Sequence, residues 1–106
     1  MSIPGLEKML AQGKDSPMLR FGLGSAYMKA GDHGMAAAHL RRAVQLDRNY
    51  SAAWNLLGQA LAELGQIDAA LEAYDTGIAT AEARGDKQAA KEMTVFARRL
   101  RKRREG

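Results

Sequence analysis

The sequence contains no cysteine, which excludes disulfide staples and thiolate metal sites and fits a reducing compartment. Proline is almost as scarce, with Pro4 and Pro17 the two examples, so helices meet few breaks. No apolar run approaches the roughly 20 residues of a membrane helix. The opening stretch M-S-I-P-G-L-E-K-M-L has no basic region, and Glu7 and Lys8 interrupt its apolar residues. No signal peptide, no membrane span and a cytoplasmic location are therefore expected. The two histidines, His33 and His39, stand six residues apart and do not share a helical face. Without cysteine, the three or four ligands of a zinc site would have to come from scattered carboxylates. No nucleophile has an evident base nearby in sequence. The expectation is a protein that is not an enzyme and holds no metal or cofactor, with His33 beside a turn and His39 facing solvent.

What is present favours helix. The 106 residues suffice for one domain, with 46% hydrophobic and 26% charged residues, ordinary proportions for a globular chain. Ala, Leu, Glu, Arg and Lys dominate, all good helix formers. The net charge of +4 is unevenly spread. Arg98, Arg99, Arg101, Lys102, Arg103 and Arg104 stand against Glu105 alone, while the residues before them come out near neutral.

A repeated pattern organises the chain. Trp54, Leu57, Gly58 and Leu61 follow the spacing W-x2-L-G-x2-Y, with Leu61 in place of Tyr, and Ala70 and Tyr74 complete an A-x3-F element. Shifting back by a period of about 34 residues aligns Leu57 with Leu23, Gly58 with Gly24, Leu61 with Tyr27, Gly65 with Gly31, Ala70 with Ala36 and Tyr74 with Leu40. Gly77 falls on Ala43, which is also small. Arg20, at the Trp54 position, is the clearest mismatch.

Each copy reads as two antiparallel helices. Ser16 can cap a helix whose first position is Pro17, where the missing N–H is harmless. The helices are predicted over about 17–30, 33–46, 51–64 and 67–83, with Gly31-Asp32 and Gly65-Gln66 as turns. Asp47-Arg48-Asn49 makes a softer stop between copies. Gly24 and Gly58 cost helix stability, so a neighbouring helix is expected to leave no room for a Cβ. Gly22-x-Gly24-Ser25 is not read as a phosphate loop, because no strand precedes it. At the ends, Pro4 to about Gln12 aligns with a second helix of a pair, closed by Gly13. Beyond Gly85-Asp86, Ala89, Met93, Phe96 and Leu100 mark one apolar face of a last helix.

On these motifs the chain resembles the tetratricopeptide repeat (TPR) family, as a short stand-alone protein of bacterial type. The resemblance implies an all-α solenoid of antiparallel helix pairs, about six helices, with two full repeats between half-repeat caps. The division is a capping helix over 1–16, repeats over 17–50 and 51–84, and a capping helix with a basic tail over 85–106. The family's usual work is scaffolding: a concave groove, lined by the first helix of each pair, holds a peptide or partner helix. By alignment that groove is lined here by Met18, Phe21, Ser25, Met28 and Lys29, then Ala52, Asn55, Gln59, Ala62 and Glu63. A separate core stripe runs through Leu23, Tyr27 and Ala30, then Trp54, Leu57, Leu61 and Leu64. The competing expectation is that Met18, Phe21 and Met28 pack under the N-terminal helix. The carboxylate clamp of chaperone-binding members is not expected, since Phe21, Ser25, Leu56, Asp86 and Ala90 occupy its positions.

The alternative function is an electrostatic module that presents the basic tail, Arg98 to Arg104, to an acidic protein, nucleic acid or anionic surface. Nucleic acid is the weaker partner, because no aromatic residue follows Phe96 to stack on bases. Leu100 is the last apolar residue, so Arg101 to Gly106 are expected to fray. Asp68, Glu72 and Asp75 are read as a solvated acidic face, and the open ends of the stack leave room for dimerisation.

Overall fold

Four local devices set where the helices begin. Ser2, Ser16, Asp32 and Asp86 each accept a hydrogen bond from the backbone N–H three residues on, at 3.0–3.2 Å, as N-caps do. Four glycines set where helices end. Gly13, Gly31, Gly65 and Gly85 all have φ between +75° and +81°, the left-handed conformation that closes a helix and that L side chains disfavour.

The resulting computed structural model describes residues 2–106; Met1, the first residue of the expected cap, lies outside them. Its helices are α1 (Ile3–Ala11), α2 (Pro17–Lys29), α3 (His33–Leu46), α4 (Ser51–Glu63), α5 (Ile67–Ala83) and α6 (Lys87–Glu105). No strand occurs among the described residues. The pairs α2–α3 and α4–α5 begin 34 residues apart, at 17 and 51 and at 33 and 67. Between α3 and α4 there is no glycine corner: Asp47 accepts a bond from Asn49 N–H at 3.0 Å and turns the chain locally.

The helices stack in two layers. α2 touches α4 and α4 touches α6, forming an inner layer, with α1, α3 and α5 behind it. The body measures 43 × 30 × 19 Å. The Leu-Gly positions make the close approaches within each pair. A Cβ on Gly24 would fall 2.5 Å from Leu40 Cγ, and one on Gly58 would fall 2.6 Å from the Tyr74 ring. Gly77 does the same between α4 and α6, since a Cβ there would meet Met93 Sδ at 2.6 Å and Trp54 Cβ at 2.8 Å. The main core runs through Leu40, Trp54, Leu57, Leu61, Tyr74, Met93 and Leu100. A smaller cluster of Leu6, Leu19 and Leu23 fastens α1 to α2.

Several expectations are corrected. Ala30 and Leu64 are not core residues; each is the C-cap of its helix, past the last packed turn, and Leu64 is 41% exposed. His39 does not face solvent: it is 6% exposed, because α1 and α2 close over it. The face of α6 is rotated from the predicted one, with Ala90, Met93, Ala97 and Leu100 buried and Phe96 only half-buried at its edge. Finally, the tail does not fray after Leu100. Arg101 donates to both carboxylate oxygens of Asp75 at 2.9 and 3.0 Å, and Arg104 donates to Asp68 at 2.9 Å. These bonds hold the helix to Glu105 and turn two members of the solvated acidic face into partners.

Candidate functional site

The inner layer offers three helix faces side by side, those of α2, α4 and α6. The residues expected to line a groove are spread over three hollows. Met28, Gln59, Ala62 and Glu63 share a cavity of about 360 Å³ with Tyr74, Phe96, Arg99, Leu100 and Arg103. Phe21, Ser25 and Lys29 share a second, of about 350 Å³, with Leu6, Gly22 and Ala26. Met18 is 76% exposed and stands in a third with Asp47, Tyr50 and Arg84. Packing under α1 therefore does not describe Met18 or Met28. Phe21 stacks on Tyr50, with ring centroids 5.1 Å apart, while bordering the same hollow as Leu6 of α1, and Met28 packs on the main core. Ala52, which is exposed, and Asn55 line none of these hollows.

Asn55 and Gln59 are one turn apart on α4 and hydrogen-bonded to each other, Gln59 donating to Asn55 Oδ1 at 3.2 Å. Asn55 in turn donates to Glu92 of α6 at 3.0 Å. This chain ties α4 to α6 and orients the Gln59 amide at the edge of the 360 Å³ cavity. The far wall comes from α6. Glu92, Phe96, Arg99 and Arg103 recur at i, i+4, i+7 and i+11, a single helical face. Phe96 lies against Tyr74, ring centroids 6.0 Å apart, and burial pushes the Tyr74 hydroxyl up to about 12.

This wall was not legible beforehand. Apolar periodicity groups Phe96 with the core face, and the run of cations groups Arg99 and Arg103 with the tail. The usable signal was the spacing of those residues with Glu92, a stripe beside the apolar one. The six tail cations thus separate by direction. Arg101 and Arg104 are fixed on α5, Arg99 and Arg103 line the cavity, and Arg98 and Lys102 point elsewhere on the exposed surface.

A second polar cluster, at the α1 end, also escaped sequence reading. Arg20 donates to both oxygens of Asp15 at 2.8 and 3.1 Å and reaches His39 Nδ1 at 3.1 Å. Arginine has no acceptor, so Nδ1 accepts and the ring proton sits on Nε2. Nε2 lies 3.2 Å from Glu7 Oε1, a close contact too misaligned to complete a hydrogen bond. His39 also stacks on Tyr27 at 5.5 Å. Burial, opposed by the Glu7 charge and aided by Arg20, holds the imidazole below its ordinary value of 6.5. The hydrogen bond from Arg20 holds the Asp15 carboxyl below its ordinary range. The cluster couples α1, α2 and α3 and is remote from the cavity on α6. His33 sits at the other turn, 4.0 Å from Glu63.

Comparison with known proteins agrees with this architecture. The family model described as tetratricopeptide repeat matches residues 6–51 and 21–89. A TPR repeat-containing protein of Pseudomonas aeruginosa, PA0015, is 56% identical over 100 residues, covering 94% of this chain and 95% of that one. The solution structure of protein BPP2914 from Bordetella parapertussis superposes with a TM-score of 0.82 at 44% identity, covering 95% of this chain and 88% of the other. YrrB, described as a TPR protein with an unusual peptide-binding site, superposes with a TM-score of 0.69 at 25% identity, over 92% of this chain and 58% of its own.

Proposed function

The chain belongs to the tetratricopeptide repeat family, a family of protein–protein interaction modules, and we propose that it is an adaptor whose inner helix layer holds a peptide or partner helix. The observation that carries this reading is the cavity of about 360 Å³ between α2, α4 and α6. It combines an apolar floor of Met28 and Phe96 with an oriented amide, Gln59. Such a combination suits an amphipathic segment, which buries one or two side chains and leaves its polar edge to be hydrogen-bonded. Methionine adapts its shape to varied anchors. The bond from Asn55 to Glu92 holds two walls of the hollow together before binding, which lowers the ordering cost of association. Met18 and the Phe21–Ser25–Lys29 hollow extend the same layer toward its other end and offer room for a longer segment.

The test is selection of peptides from a random library on the whole protein, followed by NMR mapping of a selected peptide. Shifts concentrated at the Met28 methyl and the Asn55 and Gln59 side-chain amides support the reading. Shifts confined to the back layer or the outward face of α6 overturn it. Substituting Gln59 with Ala is expected to weaken the selected peptide about five- to tenfold, the cost of leaving a polar group on the peptide unpaired, without changing the thermal midpoint.

A further inference from the structure

α6 has three faces. One is buried on α5 through Ala90, Met93, Ala97 and Leu100, and one lines the cavity through Phe96, Arg99 and Arg103. The third points away from the body. On it Lys87, Lys91, Arg98 and Lys102 recur at i, i+4, i+11 and i+15. At 3.6 residues per turn they lie within about 60° of one another along about 22 Å of helix. None of the four has an ion pair or side-chain hydrogen bond among the described residues, whereas the neighbouring Arg101 and Arg104 are both bound to α5. Between them Ala90, Thr94 and Val95 floor a cleft of about 390 Å³ whose rim includes Lys87, Lys91, Arg98 and Glu82 of α5.

The position of this face in the stack says what shape fits it. Counted from the helix starts at Ser51 and Lys87, Thr94 stands on α6 where Gly58 stands on α4, and Gly58 is where Tyr74 of α5 packs. The face that in α4 meets an antiparallel helix is uncovered in α6. At the opposite end α1 covers the outer side of α2, with Leu6 against Leu19 and Leu23. A helix laid on α6 would continue the packing already used twice in the chain. The row of cations requires that helix to be acidic, and the cleft beside Val95 takes one apolar side chain from it. Nucleic acid fits less well: phosphates would meet Glu82 at the rim, and the cleft offers them no aromatic ring. The surface is separate from the inner layer, so occupancy of one does not require the other.

We propose that the outward face of α6 docks an acidic α-helix of a partner protein, its carboxylates on Lys87, Lys91, Arg98 and Lys102 and one apolar side chain against Val95.

Three labelled probes test this on the whole chain by fluorescence anisotropy. The first is a synthetic helical peptide with Glu at i, i+4, i+11 and i+15 and one Leu at i+8. The second has the same composition with its Glu residues dispersed around the helix. The third is a short DNA duplex. The registered peptide is expected to bind about tenfold or more tightly than the dispersed one. The double substitution Lys91→Glu, Arg98→Glu is expected to weaken it about tenfold or more, because like charges then face each other. Gln59→Ala, on the inner layer, is expected to leave its affinity unchanged. Circular dichroism of each variant reports whether the fold is retained, and Lys87→Gln, Lys102→Gln repeats the test without charge reversal. Equal affinity for the two peptides reduces the face to generic charge attraction and overturns the proposal. So does absence of binding. A duplex that binds more tightly than the registered peptide, and is lost in the same charge variant, reassigns the face to nucleic acid.

Discussion

The pairs α2–α3 and α4–α5 share a spacing and a turn, yet they close over different chemistry at one position. In the second pair that position is Trp54, 9% exposed, its Nε1–H donating to the Arg48 carbonyl at 2.9 Å. In the first it is Arg20, bound to Asp15 and reaching His39. The neighbours explain the difference. The second pair lies between α3 and the long α6, so most of an indole there can be buried, with one edge left at a surface hollow beside Arg48. Among the described residues the first pair has on its outer side the nine-residue α1, which contributes one buried residue, Leu6. A charged network can stand at such an edge and satisfy itself partly with water. Arg20 thus belongs to the pair with the thinner cover among the described helices.

The largest test of this comparison is Trp54→Ala. It is expected to cost about 3–5 kcal/mol, as large-to-small changes in a core do. Arg20→Ala should cost clearly less, its guanidinium being partly solvated. Equal losses in denaturant titrations of the two variants would erase the distinction. Next come the glycines the two pairs share. Gly58→Ala and Gly24→Ala each place a Cβ within 2.6 Å of a buried side chain. Both are expected to destabilise by about 1–3 kcal/mol through overpacking, despite the better helix propensity of Ala. A matched loss in both would show that the close approach is common to the pairs while the Trp54 position is not.

The third test is pH. His39 belongs to the first pair alone, and its folded value is depressed below 6.5. The unfolded chain then binds the proton more readily, so the stabilisation is present above pH 6.5 and is lost as pH falls below it. Asp15, also depressed, adds a second loss as pH falls below 3.8. His39→Gln is expected to remove the first limb and keep the second. Persistence of the upper limb in that variant would place its origin elsewhere. The smallest effect concerns α6. Asp75→Asn is expected to cost about 1 kcal/mol or less, the usual worth of an exposed ion pair. It should still reduce the helical NMR signature of residues 101–105, and an unaltered signature would show that Arg101 is dispensable for holding the tail.

Much of the fold could be read from local signals. Ser16-Pro17, Gly31-Asp32 and Gly65 punctuate the helices chemically, and the Leu-Gly pairs set the register of α2 and α4. α6 has no Leu-Gly pair, and its apolar residues Ala89, Ala90, Met93, Phe96, Ala97 and Leu100 admit more than one face. Periodicity alone therefore places Phe96 in the core and does not reveal the wall it forms with Arg99 and Arg103. The ion pairs that hold the tail join residues 26 and 36 apart, beyond any helical period. The burial of His39 is hidden for a related reason: part of its cover comes from α1, a helix outside its own repeat, beside Arg20 and Tyr27 of α2.

That thin attachment of α1 has a kinetic side. A stack of helices opens from its ends, each unit held only by its neighbours, and local opening needs less free energy than global unfolding. α1 adds one buried side chain, Leu6, and a misaligned contact from Glu7 to His39. Its amides should exchange with solvent by detachment of this helix alone, well before those of α4 and α5. During such excursions Leu19 and Leu23 lose their cover, and the exposed linker at Lys14 becomes a point where trypsin can cut the native protein. Opening is therefore expected to begin at α1, and limited proteolysis followed by mass analysis would record it as an early cut at Lys14.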